Sequence, residues 1–266
     1  MPAAARRPCV LVFAGHDPSG GAGIAADSEA IAAQGAHALT VITALTVQDN
    51  QHAYAVHAVD AQIILQQAMT LAARMQIAAV KLGIVAHSKN AGAIANFIQQ
   101  LQRRQPGLPV VLDPVLGSGH GDALAQGDAV AAIQPLLKVA TLITPNLPEA
   151  SRLCPGAAGS LEQAQRLLHH ACQDVLIKGG HGQEAQVRNL WYRRDQLQAA
   201  GAWEWQRLPG EFHGSGCTLA AAIAGQLALG NSLQQALQQG QEYTQHSLQQ
   251  AYAIADGQLI PQRFHV

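Results

Sequence analysis

Phe212-His213-Gly214-Ser215-Gly216-Cys217-Thr218 sets two glycines, two hydroxyls and a thiol within five consecutive positions, directly ahead of the apolar run Leu219-Ala220-Ala221-Ala222-Ile223-Ala224-Gly225. A Gly-x-Gly turn feeding a helix presents backbone N–H groups with no intrahelical partner, and the helix dipole adds to their pull on an anion, so the run reads as a phosphate site. The alternative is an ordinary glycine loop before a packed helix. A P-loop would require a glycine followed by Lys and Ser/Thr, and the chain has no such triplet, so ATP handled here would be held in another way. Cys217 at a helix start could have its thiol pKa lowered enough to act as a base near neutral pH.

A second run, Gly15-His16-Asp17-Pro18-Ser19-Gly20-Gly21-Ala22-Gly23, permits tight turns and close backbone approach to a ligand. Within it Gly21-x-Gly23-x-x-Ala26 matches a dinucleotide fingerprint, with Asp49 where a ribose-binding acid would be wanted. That fingerprint should follow its strand at once, whereas Gly21 stands well beyond Gly15, which counts against the dinucleotide reading. A third group is spread along the chain: Asp113-Pro114-Val115, Thr144-Pro145-Asn146-Leu147-Pro148-Glu149 and Lys178-Gly179-Gly180-His181. Asp113, Asn146 and Glu149 could hold Mg²⁺ directly or through water, and Lys178 could meet a phosphate. Pro-Asn-x-Pro-Glu is equally a helix start.

The elements that must position these runs follow from periodicity. Short β-branched apolar stretches at 9–14, 39–45, 79–85, 109–113, 140–144 and 174–178 alternate with helical patterns at 22–34, 61–75, 89–103, 128–137, 147–153 and 161–172, the last capped by Ser160. Such alternation predicts an α/β fold with a mostly parallel central sheet and helices on both faces. The Trp- and Arg-rich pieces between 187 and 208 read as a small appended hairpin, and helices near 217–229 and 232–253 complete a single domain over 1–266. In such sheets ligands bind beyond the carboxyl ends of the strands, where all three runs fall.

Composition narrows the partners. A net charge of −1 offers no basic field for nucleic acid or an anionic membrane, leaving a small molecule as the expected partner. Cys9, Cys154, Cys172 and Cys217 show neither disulfide nor zinc spacing, as expected of a reducing cytoplasm. The apolar start stops at Gly15-His16-Asp17 without a cleavage-like site, and no stretch is long enough to span a bilayer. Only 12% of residues are charged, about half the usual share, which makes a homodimer with a buried face the expected assembly.

Taken together, these blocks resemble the hydroxymethylpyrimidine/phosphomethylpyrimidine kinases, a ribokinase-like family whose superfamily also holds the pyridoxal kinases. The resemblance runs from Ala14–Ile24 through Val41–Gln48, Lys81-Leu82-Gly83, Leu112–Val115, Leu142–Ala150, Lys178–His181 and His213–Leu219 to a terminal Pro261-x-x-Phe264-His265. It implies ATP-dependent phosphorylation of a hydroxymethylpyrimidine and of its monophosphate in thiamine biosynthesis, with Mg²⁺. By the same resemblance Gly15, Asp27, Gln48, Ile84 and Val115 bind the pyrimidine. Gly214, Ser215, Gly216 and Cys217 form the catalytic anion hole, while Lys178, Asn146 and Thr218 meet ATP, with Asp113 and Glu149 near the metal. The chain departs from the family pattern at His16, Ile84 and Ser215. A pyridoxal kinase and a non-catalytic pyrimidine sensor are the rival readings; comparing acceptors would separate the first and ATP turnover the second.

Overall fold

The first apolar run of the chain makes an interior strand of a sheet. The computed structural model describes residues 6–118, 121, 122, 124, 127–169, 172–182 and 184–264. Among these, nine strands join in one sheet: β1 (Cys9–His16), β2 (His37–Gln48), β3 (Ala53–Ala58), β4 (Ile77–Leu82), β5 (Val110–Leu112), β6 (Leu142–Ile143), β7 (Asp174–Ile177), β8 (Gln186–Arg193) and β9 (Ala199–Gln206). Their order is β3-β2-β1-β4-β5-β6-β7-β8-β9, parallel from β2 to β7 and antiparallel at both margins. Val10 to Ala14 of β1 are all buried, as a strand covered on both faces requires. Its side chains alternate between the two cores: Leu11 and Phe13 face one, Val10, Val12 and Ala14 the other.

The helices are α1 (Gly23–Ala33), α2 (Ala61–Arg74), α3 (Ser88–Arg104), α4 (Ala129–Leu137), α5 (Leu147–Leu153), α6 (Ser160–Leu168), α7 (Ser215–Ala228) and α8 (Leu233–Gln249). α1, α7 and α8 cover the face that buries Val12, Ile31, Leu176 and Ile223. α2 to α6 cover the other, around Phe13, Leu82, Ile94 and Leu136. β1 connects to its neighbour β2 on one side, whereas β4 connects to β5 on the other. The crossovers diverge here and open a crevice between the ends of β1 and β4.

The alternation predicted from sequence is present, and so is the appended hairpin, β8–β9, which joins the sheet through β7; three details differ. β3 has no counterpart among the expected strands, because its Ala-Tyr-Ala-Val-His-Ala sequence is half alanine, a poor strand former, and its strand is fixed by pairing with β2. β2 runs on to Gln48. Ser160 is the first residue of α6, not its cap: the cap is Gly159, and the Ser160 hydroxyl is 3.1 Å from that of Tyr192. Of the expected 161–172 helix, 170 and 171 lie outside the described residues.

Candidate active site

One side of the crevice begins at Gly15. A Cβ there would lie 3.7 Å from both Ala44 O and Ile84 Cβ, so the space left by the glycine is lined by these two residues. Ile84, half-buried past the end of β4, is held by its carbonyl, which accepts from the Thr43 hydroxyl. Half-buried Val115 follows the neighbouring strand β5, and its N–H donates to Asp113 O at 2.9 Å. His16 pairs with Leu45, and Gln48 stands beyond that pair where β2 outruns β1 and joins β3. Gly15, Gln48, Ile84 and Val115 thus gather at one end of the sheet, and His16 is the last residue of β1, half-buried and not a free loop residue.

Asp17 organises the loop from β1 to α1. Its carboxylate accepts from the N–H groups of Ser19 and Ala22, each at 2.8 Å, and lies 2.8 Å from His213 Nε2. Burial alone would raise this carboxyl; the hydrogen bonds from His213 and Ser19 overcome that and hold it down at about 2. The loop is thereby tied to the segment that precedes α7.

At that segment Gly214 has a φ of +78°, and a Cβ there would come 2.1 Å from Gly21 O and 2.9 Å from Ala22 Cα. Only glycine lets the two loops pack backbone on backbone. The first helical bond runs from Thr218 N–H to Gly214 O at 2.9 Å, so the N–H groups of Ser215, Gly216 and Cys217 have no partner inside the helix and can meet an anion. A Cβ at Gly216 would lie 3.1 Å from Lys178 Nζ and 3.5 Å from Asp113 Oδ2, which sets this turn beside a charged pair.

Two buried ion pairs underlie the turn. Lys178 Nζ is 2.8 Å from Asp113 Oδ1, and Lys81 Nζ is 2.8 Å from Asp27 Oδ2, the latter pair wholly shielded from solvent. Asp27 Oδ1 has no partner among the described residues. Burial raises the Asp27 carboxyl to about 6, with the Lys81 ammonium opposing a larger rise, so the pair is ionised at neutral pH. Glu149 forms a capping box with Asn146 at the start of α5, each side chain accepting at 2.8 Å from the other's N–H. Burial pushes its carboxyl to about 7 against the pull of Lys178.

Two sequence expectations change here, at Thr218 and at Cys217. Thr218 does not face a phosphate: it is fully buried, its hydroxyl donating to Gly214 O and accepting from Arg263 Nε. The Cys217 thiol is not made acidic by its helix: burial drives it up to about 11, only partly offset by Lys81. Asp17, Lys81 and Arg263 were not singled out for these roles from sequence. A lysine inside the strand pattern of β4 is the one clear signal, since a buried cation demands a buried anion.

Asp113 and Glu149 suit Mg²⁺ only as part of a larger set. Among the described residues no cluster of three or more His, Cys, Asp or Glu could hold a metal. Two carboxylates beside a lysine fit an ion that arrives on phosphates and keeps its waters.

Comparison with known proteins accords with this geometry. The sequence family described as phosphomethylpyrimidine kinase matches residues 17–261. The hydroxymethylpyrimidine/phosphomethylpyrimidine kinase of Rhizobium meliloti is 36% identical over 256 residues, covering 93% of each chain. The thiamine biosynthesis multifunctional protein ThiED of Corynebacterium efficiens is 33% identical over 260 residues, 94% of this chain and 34% of that longer protein. Among solved structures, an ADP complex of Bacillus subtilis pyridoxal kinase superposes with a TM-score of 0.84 at 25% identity, covering 97% of this chain and 98% of that one.

Proposed function

Because the chain belongs to the phosphomethylpyrimidine kinase family, we propose that it transfers the γ-phosphoryl group of ATP first to 4-amino-5-hydroxymethyl-2-methylpyrimidine and then to the resulting monophosphate, in thiamine biosynthesis. The observation that carries this reading is the first turn of α7. Its unpaired N–H groups at Ser215, Gly216 and Cys217 adjoin Lys178, and through Gly214 they pack on the loop that leads back to Gly15. Donor and acceptor subsites therefore adjoin.

In this account the acceptor ring lies among Gly15, Ile84 and Val115, with the Gln48 amide matching the donor and acceptor edge of an aminopyrimidine. Ser215, Gly216 and Cys217 supply N–H groups to the transferring phosphoryl group, and Lys178 neutralises charge developing on it. Asn146 and Glu149 lie on the nucleotide side with Asp113. Mg²⁺ carried by the nucleotide would screen the phosphate charge when bound. Cys217, protonated at rest, neighbours the acceptor oxygen without serving as its base. The test is ATP-dependent conversion followed by phosphorus NMR: two products should form in sequence, and absence of any phosphorylated pyrimidine refutes the reading.

Pyridoxal kinase is the second reading, favoured by the superposition on the Bacillus subtilis enzyme. Against it stands the higher identity, 36% over 93% of the chain, to the Rhizobium meliloti pyrimidine kinase. The exposed Leu45, Val47 and Tyr54 on the β2–β3 margin support a homodimer through that hairpin, and the four unpaired cysteines support a cytoplasmic location. No helix among the described residues is long and apolar enough to cross a membrane.

A further inference from the structure

The terminal block that begins at Pro261 has entered so far only through the bond from Arg263 to Thr218, and its His265 lies outside the described residues. Yet Arg263 within it is 1% exposed, the largest of the fully buried side chains. Its guanidinium reaches three elements at once. Nε donates to Thr218 Oγ1 at 2.8 Å, Nη1 donates to Glu29 Oε2 at 3.2 Å, and Nη2 donates to the carbonyl of Gly21. Thr218 is in the first turn of α7, Glu29 lies on α1, and Gly21 belongs to the loop that packs against Gly214. The segment itself is held in place, since Tyr243 donates its hydroxyl proton to Arg263 O at 2.8 Å and Gln262 N–H donates to Ser247 O at 2.9 Å.

On the reading of this site as a kinase centre, we infer that Arg263 is a positioning residue for phosphoryl transfer, setting the first turn of α7 against the 20–23 loop. A planar guanidinium has five donors in a fixed fork, so it can hold a hydroxyl, a carboxylate and a carbonyl in one relative geometry; an ammonium, a point charge on a flexible stem, cannot. The Gly214–Gly21 contact has no side chain to adjust, and a shift of the turn would carry the N–H groups of Ser215, Gly216 and Cys217 with it. Misplacement of catalytic groups by about 1 Å can cost about 10²-fold in rate.

The test is Arg263→Met, measured for kcat, for KM of ATP and for Tm alongside the wild-type protein. A folded variant should lose about 10²-fold in kcat while KM for ATP changes little, the split expected when transition-state contacts alone are lost. Added guanidinium ion at millimolar concentration should restore part of kcat by entering the vacated space, a recovery that a general loosening of the fold would not give. Thr218→Val removes one hydroxyl, and with it the acceptor for Nε and the donor to Gly214 O, and should lower kcat in the same direction with a smaller effect. Should Arg263→Met fail to fold, this second variant decides. Folded variants with kcat within about twofold of wild type, or losses that guanidinium leaves untouched, overturn the role of Arg263. A wild-type protein without kinase activity overturns the functional reading instead.

Discussion

At the scale of single residues, burial decides the chemistry more than residue type does. A thiol raised to about 11 is thiolate in about one molecule in 10⁴ at pH 7. If that thiolate were the base, kcat would climb about tenfold per pH unit between pH 7 and 9. The structure predicts no such climb, and predicts that Cys217→Ala slows phosphorylation of the alcohol and of the phosphate ester by similar factors in single-turnover measurements. A loss confined to the alcohol would reinstate the base. Glu149 supplies the opposite case. Its folded carboxyl is raised from 4.5 to about 7, so the folded protein binds that proton more tightly than the unfolded chain does. The stability conferred is complete below the unfolded pKa and is lost as pH rises through the folded one. Glu149→Gln keeps an acceptor for Asn146 N–H and stays neutral. Thermal melts should show wild type losing Tm relative to this variant between pH 5.5 and 8, while the variant binds Mg-ATP more weakly. Equal pH dependence of both melts would remove Glu149 as the titrating group.

At the scale of elements, function depends on how turns are stacked beyond the strand ends. Gly216 needs its missing side chain because Lys178 Nζ would lie 3.1 Å from a Cβ there. Gly216→Val should therefore lower kcat by about 10²-fold or more, as loss of oxyanion-type donors does, with a circular dichroism spectrum like that of wild type. Near-normal turnover in a folded variant would put the phosphate elsewhere. The glycine runs, the strand-helix alternation and the Asn146–Glu149 capping box were legible in the sequence because each is a local pattern: turn chemistry, a period of two or 3.6, a cap three residues from its partner. What was not legible is non-local. The pairing of Asp27 with Lys81, on another element, has no local signature. Thr218 reads as a phosphate ligand until Arg263 claims its hydroxyl. β3 gains its strand character from β2, not from its own alanines.

At the scale of the whole molecule, one sheet with nearly every polar turn of interest at one end explains how a chain poor in charge concentrates its ionised groups. Asp27, Lys81, Asp113 and Lys178 alternate in sign beneath the anion turn, and burying them in pairs keeps the local field ordered without a solvent shell that would have to reorganise during transfer. The same architecture serves pyrimidine and pyridoxal kinases, so fold alone does not choose the acceptor. On the proposed function the choice would rest on Gly15, Gln48, Ile84 and Val115, where a polar group left unpaired by the wrong ring would cost binding in the transition state. The most direct measurement is kcat/KM for 4-amino-5-hydroxymethyl-2-methylpyrimidine and for pyridoxal, in the same ATP and Mg²⁺ buffer with the same preparation. The account predicts a value for the pyrimidine at least about tenfold higher. Pyridoxal turned over as well or better would contradict it.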